Sequence, residues 1–216
     1  MNSKNIKILL TITLLYVIIK FLPFGNYILY PVNLIVTFLH EFGHTFFAYI
    51  TGGMVLSIQV NTDGSGLAYT SGGIKSLVLM GGYIGSALFG NLLLYFGLKS
   101  NKVSESIIYV LGGLMIFCSI FLYSGLISSI ILILIGISLI YIANKLEYDS
   151  VILSFLGLAS IFHIIADFRV GPSGDLAKFS SIFVFIPQFV WMYIWLFIVI
   201  VICFYNFKII FYGKND

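Results

Sequence analysis

Apolar runs of about 20 residues recur from one end of this chain to the other, the length a helix needs to cross the hydrocarbon core of a bilayer. Of 216 residues, 60% are hydrophobic and only 9% are charged, with a mean hydropathy of +1.10. Water-soluble domains do not have that balance. The expected fold is an all-α polytopic membrane protein of about seven transmembrane helices, with a short β-hairpin after the second. The expected spans are residues 6–22, 31–50, 75–97, 106–123, 125–143, 151–166 and 183–207, with the hairpin over 54–70. The length suits one membrane-embedded domain, residues 1–216. A net charge of +3, spread along the chain, argues against a nucleic-acid partner and leaves the lipid bilayer as the surroundings. Lys4 and Lys7 precede the first run as in a signal peptide, but the run is long and no small-residue cleavage site follows, so it reads as a retained span. Cys118 and Cys203 sit in apolar runs and read as buried thiols.

One segment breaks the apolar pattern. His40-Glu41-Phe42-Gly43-His44 lies near the middle of the second run. In a helix, residues four apart share a face, so His40 and His44 can hold one Zn²⁺. Glu41, beside the first ligand, can take a proton from the activated water and return it to a leaving group. An unpartnered ionisable group in hydrocarbon costs several kcal/mol, and three within five residues call for a metal. Pro31 fits the first turn of this helix, and Gly52-Gly53 fits its stop.

Catalytic zinc ordinarily takes three protein ligands and keeps a position for water. Asp63, Glu147 and Asp149 lie in segments that read as solvated loops. Three candidates for the third ligand remain: Asp175 in a Gly-flanked polar break, Asp167 as the alternative, and His163, four residues before Asp167 and able to pair with it. The stretch after the zinc helix reads as a hairpin. Met54–Val60 is rich in β-formers, 61–66 is a turn cluster, and Leu67–Thr70 returns. Its edge could accept an extended substrate as an added strand. The third span carries Gly81, Gly82, Gly85, Ser86 and Gly90 at four-residue spacings, which let helices approach closely in lipid, with the zinc helix as the expected partner. Asn91 is expected to hydrogen-bond to that same helix.

Taken together, these features resemble the site-2 protease class of intramembrane zinc metallopeptidases, the M50 family, and within it the compact M50B-like branch. The resemblance rests on His40–His44 with the following Thr51-Gly52-Gly53 and 60–66 stretch, on the glycine-rich helix through Asn91, and on Ser173-Gly174-Asp175-Leu176-Ala177 ahead of a span holding Trp191 and Trp195. It covers residues from about 32 to 200. It implies Zn²⁺ as cofactor, His40 and His44 as ligands, Glu41 as general base, a distal Asp as third ligand, and a transmembrane protein substrate cleaved within the cell membrane. Relatives show Leu-Asp-Gly or Ser-Asp-Ala at the distal Asp, where this chain has Gly174-Asp175-Leu176. Two rival functions share the motif: a membrane zinc hydrolase of a non-protein or prenylated substrate, which ordinarily uses a distal Glu, and a non-catalytic scaffold or sensor. An intact Glu41 weighs against the second, because a structural site needs no base.

Overall fold

The computed structural model describes residues 3–145, 147–170 and 174–212. Its elements are α1 (Ser3–Phe21), α2 (Gly25–Ile28), α3 (Tyr30–Ile50), β1 (Met54–Val60), β2 (Gly66–Ser71), α4 (Lys75–Gly97), α5 (Asn101–Phe121), α6 (Leu126–Lys145), α7 (Asp149–Val170), α8 (Gly174–Ser180) and α9 (Gln188–Tyr212). The predominance of helix follows from the solvent: lipid offers no partner to a backbone N–H or C=O, so each crossing segment must satisfy its own. Among the described residues, five helices are long and apolar enough to cross a membrane: α4, α5, α6, α7 and α9. The expected number is seven. The other two expected spans, 6–22 and 31–50, do fold as helices, α1 and α3, but α1 carries Lys4, Lys7 and Lys20, and the motif itself makes α3 more polar.

Several boundaries differ from expectation. α5 starts at Asn101 rather than 106, because the Ser100 hydroxyl accepts the Val103 N–H and caps the helix in what looked like a loop. Asp149, expected in solvent, is buried at the start of α7 and accepts a hydrogen bond from Asn101 Nδ2 at 3.0 Å. The last helix begins at Gln188, just after Pro187, rather than near 183. The polar break expected before it is part helix: α8 fills 174–180, while Pro172 and Ser173 lie outside the described residues.

α4 is the central helix, packed between α3 and α7, with α9 also against it. Gly43 of α3 meets Gly81 and Gly85 of α4 backbone to backbone; a Cβ on Gly43 would collide with the Gly81 carbonyl oxygen. Asn91 does not reach α3. At 100° per residue it lies roughly 240° around α4 from Gly85, which turns it toward α9. There Asn206 Nδ2 donates to the Asn91 side-chain oxygen at 2.9 Å, and Asn91 Nδ2 donates to the Ala87 carbonyl and to Cys203 Sγ. Gly90 likewise faces α7 at Ser160, not α3.

α3 ends in a Schellman arrangement. Gly52 has φ +83°, Gly53 N–H reaches the Ala48 carbonyl at 2.8 Å, and Gly52 N–H reaches Tyr49 at 3.1 Å. The chain then turns straight into the antiparallel hairpin, whose register pairs Ile58 with Ala68 and Val60 with Gly66. Its tip is tied back to α3: Tyr30 donates to the Thr62 carbonyl (2.6 Å) and Thr37 to the Gly64 carbonyl (2.7 Å). The outer edge of β1 is covered by the α5–α6 connection. Ser124 donates to the Ile58 carbonyl, Ile58 N–H reaches Leu122, and Val60 N–H reaches Ser128 Oγ. The other edge, that of β2, pairs with no strand, and its Ala68 N–H reaches Glu41.

Candidate metal centre

Helical spacing brings the two histidines together: their Nε2 atoms are 3.3 Å apart on one face of α3. Asp175 arrives from far along the chain. α8 turns Leu176 and Phe179 inward, each 2% exposed, and the Phe179 ring packs edge-on against Trp191 and Trp195 of α9. With those two anchors fixed, Asp175 Oδ2 lies 3.3 Å from His44 Nε2 and 3.5 Å from His40 Nε2. The three donor atoms therefore form a triangle of 3.3, 3.3 and 3.5 Å edges. Tetrahedral ligands about 2.0–2.1 Å from zinc stand about 3.3–3.4 Å from one another. The donor set is also the kind zinc takes, two imidazoles and a carboxylate.

Orientation supports the same fit. His44 Nδ1 lies 2.7 Å from the Val78 carbonyl of α4 and must donate to it, which leaves Nε2 with its lone pair facing the cluster. Lone pairs of nitrogen and carboxylate oxygen at such distances repel unless a cation or a proton stands among them. Gly82, one turn after Val78, keeps the space clear: a Cβ there would collide with Nε2 of both histidines. The Tyr83 ring stands edge-on to His40 with centroids 5.1 Å apart, and itself rests on Trp195 and Phe168.

Glu41 is buried, 6% exposed, and lies under the start of β2. A Cβ on Gly66 would come 2.6 Å from Glu41 Oε1, so the strand passes over the carboxylate only because residue 66 has no side chain. Two cavities meet here. The larger, about 640 Å³, runs along the open β2 edge and is lined by Glu41, His44, Asp175 and residues 66–70. The smaller, about 260 Å³, lies on the His40 side and is lined by Glu41, Asp175, Tyr83, His163 and Asp167.

The other expected candidates stand apart from the cluster. His163 Nδ1 and Asp167 Oδ2 are 3.4 Å apart, one turn apart on α7, and line the smaller cavity without joining the three donors. Asp63 is exposed in the hairpin tip, where hydrogen bonds from the Ser65 hydroxyl and amide hold its carboxyl below its ordinary value. Neither Glu105 nor Glu147 lines either cavity, which leaves no distal Glu at the histidines. Among the described residues, His40, His44 and Asp175 are the one group able to hold a metal ion. Three contributors escaped the sequence reading: the Val78 carbonyl, Gly82 as the clear space over the histidines, and Gly66 as the gap over Glu41. The glycines left a trace in their spacing and turn context; a backbone carbonyl leaves none.

Residues 8–206 match the family model described as Peptidase M50B-like. The chain belongs to that family. No match is found among curated proteins or among solved structures. Family membership and five apolar helices make it a multi-pass membrane protein of a metallopeptidase family. In M50 peptidases generally the metal is zinc, and the three-donor cluster is where this M50B-like chain could hold it.

Proposed function

We propose that this chain is an intramembrane zinc peptidase that cleaves membrane-embedded protein substrates. One observation carries the reading: a zinc-sized triangle of His40, His44 and Asp175 donors opens, beside Glu41, onto a cavity bordered by an unpaired strand edge. In this reading Asp175 is the third ligand, and residues 1–216 act as one domain. α1 and α3 bring the spans to seven; at 1.5 Å per residue their 19 and 21 residues extend about 29 and 31 Å, the thickness of a bilayer core. The cell membrane is the proposed location.

The substrate must lose its helix locally, because a helix closes its own peptide groups. Laid along β2, the unwound segment recovers backbone hydrogen bonds from the strand edge and passes over Glu41. Zinc, when bound, supplies Lewis acidity that activates water and polarises the scissile carbonyl. Glu41 takes the proton from the attacking water and delivers it to the departing amine nitrogen. His44 is held in its ligating tautomer by the Val78 carbonyl. The smaller cavity, with its His163–Asp167 lining, lets water approach while a peptide fills the larger one.

The decisive comparison is wild type against Glu41→Gln, each co-expressed with candidate membrane substrates. The variant should retain its zinc and lose cleavage by about 10²- to 10⁴-fold, the span of a general base. Equal cleavage by both proteins overturns the assignment of Glu41, and absence of zinc from both overturns the peptidase reading.

A further inference from the structure

The larger cavity is lined by groups of both charges: Glu41 and Asp175, with His44, and also Lys75 and Lys178. Lys75 opens α4, three residues before Val78, whose carbonyl holds His44. Lys178 follows Asp175 by three residues on α8. Each lysine is thus one helical turn, about 4.5 Å of rise, from a group at the metal cluster. They come from separate elements, yet they line the same cavity. Both are exposed, and neither ammonium has a hydrogen bond or ion pair among the described residues. Two cations without a partner on one cleft attract a negatively charged group into it. Of the carboxylates that share the cavity, Asp175 faces the two histidines and Glu41 accepts the Ala68 N–H.

We propose that Lys75 and Lys178 form a subsite for a carboxylate carried by the bound peptide. The proposal rests on the peptidase reading and names what that site selects. An extended peptide advances about 3.3 Å per residue, so an offset of about 4.5 Å plus the reach of a lysine side chain places the carboxylate within about three residues of the bond over the cluster. The group is either an Asp or Glu side chain or the peptide's own C-terminal carboxylate. A substrate with a basic residue at that place meets like charge and is rejected.

The experiment measures binding, so it does not depend on turnover. Full-length, zinc-loaded Glu41→Gln protein in neutral detergent micelles is titrated against fluorescein-labelled Val/Thr peptides that carry Asp, Asn or Lys at one scanned position, each with an amidated or a free C-terminus. The Asp peptide should bind about tenfold tighter than its Lys counterpart, a gap that high salt narrows. The Lys75→Glu/Lys178→Glu protein should invert the order, and Lys75→Arg/Lys178→Arg should restore it. The charge change does not endanger folding at α4, because an acid at a helix N-terminus is favourable; zinc content checks this in every variant. A gap tied to the free C-terminus assigns the subsite to a terminal carboxylate, and one tied to internal Asp assigns it to a side chain. Equal binding of Asp, Asn and Lys peptides overturns the subsite alone. A preference erased by adding phosphatidylglycerol to the micelles also overturns it, by making the lysines lipid-headgroup contacts. Zinc-loaded protein that binds no peptide at all overturns the peptidase reading beneath it.

Discussion

The α3–α4 and α5–α6 pairs are built on the same device and used differently. In each, glycines bring two backbones into contact: Gly43 against Gly81 in the first, Gly112 against Gly136 in the second, where an added Cβ would stand 2.7 and 2.6 Å from the opposite carbonyl oxygen. In each, the approach replaces the hydrophobic drive that lipid removes. Yet the first pair holds two histidines and a buried glutamate, and the second holds no Asp, Glu, His, Lys or Arg between Ser106 and Asn144. Burial follows the same division: α4 is 72% buried along its apolar window, α6 only 33%. Close packing is therefore not the signature of the site. What distinguishes the first pair is the residue next to the contact, Gly82, which leaves empty volume where two nitrogens converge.

Substitutions ordered by expected effect test that distinction. Gly82→Ala should abolish zinc binding, since its methyl would collide with both Nε2 atoms; metal analysis of the purified protein reads this directly, and normal zinc content would remove Gly82 from the site. Asp175→Ala should come next. Loss of a supporting hydrogen-bond partner costs 10–100-fold in metal affinity, so a lost ligand should cost more than about a hundredfold, and Asp167→Ala about tenfold or less. The reverse order, read by chelator competition, would shift the third ligand to Asp167. Gly112→Ala should destabilise the protein by about 1–3 kcal/mol, as overpacking does, with zinc content unchanged; a loss of zinc there would erase the contrast between the pairs. Smallest is Asn206→Ala, at about 0.6 kcal/mol, typical of a hydrogen bond between membrane helices. It should lower the unfolding midpoint slightly and leave the metal alone.

Much of the fold is legible in the chain because lipid permits so few solutions. Long apolar runs must be helices, and Pro31 with Gly52-Gly53 delimits α3 to within a residue. The hairpin is equally plain in its β-formers and turn cluster. The number of spans is less so: the residues that give α3 its chemistry also lower its hydropathy, and the lysines do the same for α1. α8 leaves no periodic signal, being seven residues long and set by contacts with Trp191 and Trp195 on another element. Asn91 and Asp149 depart from expectation for opposite reasons. Counting turns around α4 would have directed Asn91 away from α3, whereas nothing local marks Asp149 as covered by Asn101.

At the site, the histidine pair is a matter of spacing alone. The third donor is not, because Asp175, Asp167 and His163 are all acceptable by residue type. Only tertiary packing separates them, bringing Asp175 Oδ2 within 3.5 Å of both imidazoles and leaving His163 with Asp167 on the neighbouring cavity.

The hydrogen bond from His44 to Val78 reaches beyond orienting one imidazole. Val78 and Gly82 are successive steps on one stripe of α4, so a single helical turn supplies both the acceptor that aims His44 and the vacancy above the nitrogens. A slip of α4 by even one residue along α3 would forfeit both together. An ion seated at the cluster would tie α3, which carries both histidines, to α8, which carries Asp175, and its removal by a chelator should loosen α8 before anything else in the bundle gives way.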